Sequence, residues 1–288
     1  ETVDYINKTG AKVGVIEVHL YRPFSKEHLL KVIPESVQQI SVLDRTKEPG
    51  GVGEPLYLDV VAALKDTKFG NVPVFTGRYG LSSKDTTPGQ IKAVFDNTEK
   101  KTFTIGIIDD VTNLSLETAD IDTSSASTVS AKFWGLGSDG TVGANKNSIK
   151  IIGNHTDKYV QAYFDYDSKK SGGVTVSHLR FGDEPIRSTY LVSKADFVAC
   201  HNQSYIRKYD MVQDLKKGGT FLLNCTWDVK ELDANLPAAV KRYIAQNDIH
   251  FYIIDGIKIG KEIGLNGKIN TVLQSAFFKL ASAFLAFS

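Results

Sequence analysis

A glycine-rich run at residues 135–140 sets the strongest constraint on how this chain can fold. Its sequence, GLGSDG, has the spacing G-x-G-x-x-G, in which glycines allow a tight turn and a close approach of the backbone to a phosphate. Residues 129–134 before it alternate apolar and polar side chains, and residues 147–152 after it have helical spacing. This context predicts a phosphate-binding turn between a strand and a helix, and a turn without a ligand is the alternative.

Strand and helix patterns alternate over the first 120 residues. Strands are predicted at 13–20, 37–43 and 72–75, and helices begin at Lys26, behind a Ser25 cap, and near Pro55 and Pro88. The small polar segment 122–128 is typical of a linker. The sequence therefore predicts an α/β fold with two consecutive domains, residues 1–120 and 121–288, each a mostly parallel sheet flanked by helices.

The second domain repeats the alternation and begins with the strand that precedes the glycine-rich turn. Its predicted strands are 129–134, 159–166, 174–179, 197–201, 220–224 and 250–254. Its predicted helices are 141–152, 204–215, 229–246, 257–263 and 269–284. Doubly wound folds place their phosphate site after the first strand, which is where this turn lies.

Composition excludes several functional classes. The net charge is +1, which gives no electrostatic footprint for nucleic acid. No apolar run reaches the ~20 residues of a membrane helix, and the polar start ETVDYINKTG does not resemble a signal peptide, so a cytoplasmic location is expected. The chain also lacks an initiator Met, and we expect it to be a piece of a longer protein.

The sequence predicts neither a catalytic centre nor a metal site. Cys200 and Cys225 lie in apolar, strand-like runs and are expected to be buried free thiols, with a disulfide as the alternative. Without a C-x-x-C pair they cannot build an iron–sulfur or zinc cage alone. A Ser/His/Asp set, a paired-carboxylate motif, a P-loop and an H-E-x-x-H motif are also missing.

The residues around the turn suggest an adenosine phosphate as the ligand. Lys146 adds a positive charge one helical turn beyond the glycines. Asp165 and Asp167 lie near the end of the second strand, where a dinucleotide-binding fold places the acid that binds a ribose. Lys169 and Lys170 come next and suit a ribose phosphate, with a solvated turn as the alternative. NADP and coenzyme A both satisfy this spacing.

For each of four further polar residues, two roles are considered. Asp139 inside the turn is expected to accept backbone N–H groups and stabilise the turn rather than to contact a phosphate. Asn145 either donates to a phosphate or caps the helix. His178 and Arg180 share one strand face and belong either to an anion site or to an exposed sheet edge or domain contact.

Several stretches together resemble the pyruvate:ferredoxin (flavodoxin) oxidoreductases. The match covers nearly the whole chain in the family's own order, with departures at residues 118–130 and 282–288. The matching stretches are LYRPF (20–24), VLDRTKEP (42–49), GEPLYLD (53–59), GRYGLSSK (77–84), FWGLGSDGTVGANKN (133–147), SGGVTVSHLRFG (171–182) and PIRSTY (185–190).

The resemblance implies a role within a larger enzyme. Family members convert pyruvate, coenzyme A and an oxidised acceptor to acetyl-CoA, CO₂ and the reduced acceptor, which is ferredoxin or flavodoxin. They use thiamine diphosphate, Mg²⁺ and [4Fe-4S] clusters held by other domains, and they are typically homodimers. Residues 1–120 would be the transketolase C-terminal-like domain without its first strand, and residues 121–288 the Rossmann-like gamma-type domain. The fragment alone is expected to be inactive.

Coenzyme A, as a substrate, becomes the ligand expected at the turn. Two rival readings remain: a non-catalytic scaffold that supports assembly and dimerisation, and an NADP-binding oxidoreductase domain. The residues expected to bind the phosphates of coenzyme A are Gly135, Gly137, Ser138, Gly140, Thr141, Asn145 and Lys146, with Lys169 and Lys170 at the ribose phosphate.

Overall fold

The computed structural model describes residues 1–167, 172–265 and 268–281. The chain divides into two compact units, Glu1–Thr123 and Ser124–Ser288. Each unit combines a sheet with helices, so the predicted α/β class is confirmed.

The first unit contains a parallel sheet in the order β1-β2-β3. Phe103 and Ile105 are fully buried, and Leu64 and Phe69 belong to a second buried cluster. The strands are β1 (Ile40–Asp44), β2 (Val74–Arg78) and β3 (Thr102–Thr104). The helices are α1 (Thr2–Lys8), α2 (Lys26–Val32), α3 (Pro55–Leu64) and α4 (Pro88–Asp96), and Leu81–Ser83 forms a 3-10 turn.

Side-chain caps explain where these helices begin. The Ser25 hydroxyl accepts the His28 N–H ahead of α2, and Thr87 and Gln90 form a capping box ahead of α4. The Asp44 carboxylate at the end of β1 accepts two N–H groups from the first turn of α3. The three helices predicted from Lys26, Pro55 and Pro88 are therefore confirmed.

The strand predicted at residues 13–20 is wrong. These residues pair with no strand among those described in this unit, and Val15 and Leu20 are 65% and 70% exposed. Alternating hydrophobicity favours a strand only when a neighbouring strand and a covering layer are present. The helix α1 and the three-residue β3 were missed, because such short elements carry too few apolar positions to show a period.

In the second unit, all six predicted strands are present in the described residues. The strand order is β5-β6-β4-β7-β8-β9, with parallel pairing from β4 through β9. The β4–β6 and β6–β5 pairs are antiparallel. The bounds are β4 (Val129–Leu136), β5 (Tyr159–Tyr166), β6 (Val174–Gly182), β7 (Ala195–Cys200), β8 (Leu215–Asn224) and β9 (His250–Ile254).

The helices of this unit depart from the prediction at two places. Residues 204–215 form two 3-10 turns, Gln203–Arg207 and Val212–Asp214, rather than one helix. The predicted helix 229–246 is broken at Pro237, which cannot donate an N–H and forces the preceding residue out of helical geometry. The helices are α5 (Thr141–His155), α6 (Val229–Asn235), α7 (Ala238–Gln246), α8 (Gly256–Glu262) and α9 (Asn270–Ala281).

The central strands of this sheet are covered on both faces. On one face, Phe133 and Phe197 pack against Phe277 of α9, with the Phe133 and Phe277 ring centroids 5.0 Å apart. The other face buries Val198 and Phe221 beneath α7 and the 3-10 turns. Among the described helices, none is long and apolar enough to cross a membrane.

Candidate functional site

A cavity of about 310 Å³ opens where β4 ends and α5 begins. The antiparallel β6 starts beside the end of β4, and β5 ends there too. The elements β4, β5, β6 and α5 therefore meet at the same end of the sheet. The lining residues are Leu136, Gly137, Ser138, Asp139, Gly140, Val142, Gly143, Tyr166, Asp167, Gly173, Val174 and Thr175.

The turn is held by its own aspartate. The Asp139 carboxylate accepts the Leu136 N–H and the Thr141 N–H, each at 2.8 Å. Ser138 and Gly140 have φ of 74° and 86°, in the left-handed region. A Cβ on Gly140 would also lie 3.0 Å from the Asn270 amide nitrogen, so both the backbone conformation and the tight contact favour glycine there. The structural role expected for Asp139 is confirmed.

In the first turn of α5, two backbone N–H groups donate to no acceptor among the described residues. The helix begins its own hydrogen bonding when the Ala144 N–H donates to the Gly140 carbonyl at 3.0 Å. The N–H groups of Val142 and Gly143 therefore precede the helical ladder, and both residues line the cavity. Gly140 contributes no side-chain cap to the helix. These donors and the helix dipole together favour an anion.

Thr141 lies beneath the turn and is directed away from the cavity. It is 1% exposed, and its hydroxyl lies 2.8 Å from Nδ1 of His201 at the end of β7. Burial lowers the pKa of His201 to about 4, against an opposing effect of the Asp139 charge, so the ring is neutral near pH 7. The Asn224 side chain donates to the His201 carbonyl and anchors this residue to β8.

The other predicted ligands differ in where they lie. Gly137 faces the cavity, and its N–H donates to the Gly173 carbonyl at 2.8 Å. Asn145 is only 3% exposed. Lys146 is exposed on α5, with its ammonium 5.3 Å from the centroid of the Phe164 ring. Lys169 and Lys170 lie outside the described residues.

Gly135 supports the turn from inside the unit. A Cβ there would lie 2.5 Å from the Thr141 hydroxyl oxygen, which is closer than real contacts allow. The absence of a side chain therefore lets α5 pack directly against β4. Gly135 does not line the cavity.

Two carboxylates face the same cavity as the helix terminus. Asp167, at the position expected for a ribose-binding acid, lines it together with Asp139. Burial raises the pKa of the nearby Tyr205 phenol, and the charges of Asp139 and Asp167 raise it further. The site therefore combines backbone donors for phosphate oxygens with acceptors for hydroxyl groups.

His178 and Arg180 are not part of this cavity. Both are 4% exposed. His178 Nδ1 accepts the Val192 N–H at 3.2 Å, and the Arg180 guanidinium lies 4.9 Å from the centroid of the Tyr190 ring. Burial, followed by the charges of Lys132 and Arg180, lowers the pKa of His178 to about 3. The two side chains instead anchor the segment after β6 to the sheet.

The cysteines do not fit an iron–sulfur cluster. Cys200 and Cys225 are buried free thiols, as predicted. The Cys200 thiol donates to the Asn202 carbonyl at 3.1 Å, and burial raises its pKa to about 12. A [4Fe-4S] cluster needs four thiolates, which this pair cannot supply. Within 1–167, 172–265 and 268–281, no group of three His, Cys, Asp or Glu side chains is placed to hold a metal.

Sequence reasoning missed the contribution of β6. Gly173, Val174 and Thr175 line the cavity because β6 runs antiparallel beside β4. The SGGVTV stretch carries no local signal for this placement. Only the strand order brings these residues to the glycine-rich turn.

Comparison with known proteins gives a consistent family match. Residues 130–286 match the family model described as pyruvate ferredoxin/flavodoxin oxidoreductase, and residues 1–107 match pyruvate:ferredoxin oxidoreductase core domain II. A pyruvate-flavodoxin oxidoreductase of Enterobacter agglomerans is 61% identical over 98% of this chain and 24% of its own length. A pyruvate:ferredoxin oxidoreductase of Moorella thermoacetica is 59% identical over the same shares.

The chain thus spans about a quarter of the length of the curated relatives that it matches. Among solved structures, it is similar to the pyruvate oxidoreductase subunit PORC of Thermotoga maritima. That similarity has a TM-score of 0.42 at 17% identity and covers 54% of this chain and 77% of the subunit.

Proposed function

We propose, from the premise that this chain belongs to the pyruvate ferredoxin/flavodoxin oxidoreductase family, that it supplies coenzyme A binding within a longer enzyme of that family. The whole enzyme would convert pyruvate, coenzyme A and an oxidised ferredoxin or flavodoxin to acetyl-CoA, CO₂ and the reduced acceptor. One observation carries the proposal: the first turn of α5 opens on a cavity of about 310 Å³ with two backbone N–H groups outside the helical ladder.

The ligand that best suits this cavity is the phosphate-bearing part of coenzyme A. The backbone around Gly137, Ser138 and Gly140 leaves room for phosphate oxygens, and Val142 and Gly143 offer donors. Gly135 and Thr141 would act by shaping the turn, and Asn145 would act from the buried side of α5. Lys146 would add long-range attraction, and Lys169 and Lys170 remain proposed for the ribose phosphate.

Binding here would serve the reaction by orientation. Holding the nucleotide end of coenzyme A leaves its thiol on a flexible arm that can reach a reacting group on another domain. The gain is effective concentration, potentially several kcal/mol of the barrier. This chain would contribute no proton transfer, and thiamine diphosphate with Mg²⁺ and [4Fe-4S] clusters would supply decarboxylation and electron transfer from other domains.

The wider assignments follow from the family. Residues 1–120 would form the transketolase C-terminal-like domain and residues 121–288 the gamma-type domain. The partners would be the remaining domains of the same polypeptide and, through them, ferredoxin or flavodoxin. The enzyme would act as a cytoplasmic homodimer.

One observation favours the rival scaffold function. Asp139 already satisfies two N–H groups of the turn, so the turn is stable without a ligand. In that case coenzyme A would bind elsewhere in the enzyme, and the two units would only space the catalytic domains.

Two lysines on α5 provide a test. Lys146 and Lys150 are both exposed and lie one helical turn apart, with Lys150 further from the cavity. In the full-length enzyme, we expect Lys146→Ala to weaken coenzyme A binding about two- to fivefold at low salt. Lys150→Ala should leave it unchanged. Calorimetric titration, with NADPH as a second ligand, measures both.

Equal affinities in wild type and both variants would remove the proposed role of Lys146. Saturable binding of NADPH, but not of coenzyme A, would instead favour the NADP reading.

A further inference from the structure

Five polar side-chain atoms of the second unit are buried without a hydrogen-bond partner among the described residues. Two of them, Trp134 Nε1 and the Tyr205 hydroxyl, belong to residues packed against the core on the other face of the sheet. The other three are the Asn145 amide nitrogen and the hydroxyls of Thr175 and Ser177. Their side chains belong to residues that are 3%, 6% and 0% exposed, respectively. An unsatisfied buried donor is costly, and native proteins keep few of them. Three such donors on one face of the sheet point to an acceptor there that the protein's own described side chains do not supply.

The sheet register aligns two of these groups. Gly135 pairs with Thr175, and Phe133 pairs with Ser177. Paired residues project from the same face of a sheet. Gly135 faces Thr141 of α5, and Phe133 packs on α9, so both hydroxyls lie on the face that α5 and α9 cover.

Asn145 lies on the same side of α5 as Thr141. It follows Thr141 by one helical turn, on the buried side of α5. Its neighbour Lys146 places its ammonium over Phe164, which pairs with Ser177. Register and helical spacing therefore place Asn145, Thr175 and Ser177 between α5 and the sheet, and we call this region the seam. Thr175 also lines the cavity at the glycine-rich turn, so the seam is continuous with that cavity.

We propose that this seam is an inner subsite that receives a phosphate oxygen of the ligand, with the Thr175 hydroxyl as its direct donor. The inference rests on the proposed function. It adds Thr175, which lies outside the glycine-rich motif, to the residues proposed to bind coenzyme A. The amide nitrogen of Asn145 is a donor and not an acceptor, and the hydroxyls of Thr175 and Ser177 can also donate. An acceptor-rich phosphate beside a helix N-terminus satisfies such a set.

Thr175→Val and Thr175→Ser in the full-length enzyme test the subsite. Valine keeps the shape and removes the hydroxyl, so we expect KM for coenzyme A to rise about tenfold, as when a hydrogen bond to a charged group is lost. The values of kcat and of KM for pyruvate should stay unchanged. Thr175→Ser keeps the donor and should retain the wild-type KM.

Thr76→Val is the matched control. The Thr76 hydroxyl is likewise buried without a partner among the described residues, but it lies on β2 in the first unit. Removing it should leave KM for coenzyme A unchanged. Both valine variants should melt no lower than wild type, because each removes a donor that had no partner.

Dephospho-coenzyme A, which lacks the ribose phosphate, identifies the phosphate involved. If Thr175 contacts the diphosphate, Thr175→Val raises KM by the same factor for both ligands. If it contacts the ribose phosphate, the effect disappears with dephospho-coenzyme A. Either outcome supports the subsite.

An unchanged KM for coenzyme A in Thr175→Val would overturn the subsite, and so would an equal rise in Thr175→Ser or in Thr76→Val. If Thr175→Val is neutral while Lys146→Ala still weakens binding, only the inner subsite fails. If both are neutral, the proposed coenzyme A site fails with it.

Discussion

At the scale of single residues, the turn at the cavity is held by side chains that hydrogen-bond within the unit. Asp139 closes the turn with two hydrogen bonds, and His201 holds the Thr141 hydroxyl beneath it. Because these groups are already paired inside the unit, the turn keeps its shape without a ligand. Its backbone donors are thus oriented before an anion arrives, which lowers the entropy cost of binding.

His201 makes this support sensitive to acid. Burial lowers its pKa from 6.5 to about 4, so between these values the unfolded chain binds a proton that the folded chain excludes. This contribution to stability is complete above pH 6.5 and is lost as the pH falls to about 4. We expect His201→Gln to flatten the dependence of the unfolding midpoint on pH over that window.

Urea unfolding of the full-length enzyme between pH 4.5 and 7 measures this slope, with the exposed His155→Gln as control. A residual slope is expected, because burial also lowers the pKa of His178, to about 3. A slope identical in wild type and His201→Gln would show that His201 does not carry this dependence.

At the scale of elements, the contact between β4 and α5 fixes the helix terminus. A methyl group on Gly135 would lie 2.5 Å from the Thr141 hydroxyl oxygen and would push α5 outward. We expect Gly135→Ala to destabilise the unit by about 1–3 kcal/mol through overpacking. Gly143→Ala, in the same helix but with open space around the new Cβ, should stabilise it by about 0.5–1 kcal/mol.

Differential scanning calorimetry of the full-length enzyme compares the two variants. Opposite shifts of the melting temperature are expected. If both substitutions shift it in the same direction, close packing at Gly135 is not what holds α5.

The elements also show what a sequence pattern can predict. The apolar strand patterns located all six strands of the second unit: β4, β6, β7 and β8 are largely buried, and β5 and β9 pair with them at the two edges of the sheet although they are mostly exposed or half-buried. The same kind of pattern failed at residues 13–20, where no neighbouring strand is present in the described unit. Pro237 is visible in the sequence, but the apolar spacing on both sides of it predicted a single helix.

At the scale of the whole molecule, the sequence predicted part of the candidate site. The glycine-rich turn and Asp167 could be found, because a local motif and a fixed spacing from it identify them. Thr175 and Gly173 could not, because β6 reaches the turn only through an antiparallel pairing that leaves no local trace. The spacing of residues in the sequence also does not reveal that the Thr141 hydroxyl contacts His201.

Family membership sets the context for these observations. The chain corresponds to about a quarter of its curated relatives, and their names describe pyruvate oxidoreductases that use flavodoxin or ferredoxin. Among the described residues, the cavity at α5 is the feature from which the coenzyme A site is proposed, so binding there is the central claim.

Gly137→Ala tests that claim most directly. The new methyl would face the cavity, 3.3 Å from the Gly173 carbonyl oxygen, so the fold needs only a small adjustment. Gly14→Ala, with nothing within 4 Å of its Cβ, is the control. Calorimetric titration of the full-length enzyme should show coenzyme A affinity reduced about tenfold or more by Gly137→Ala and unchanged by Gly14→Ala. Wild-type affinity in Gly137→Ala would contradict the account.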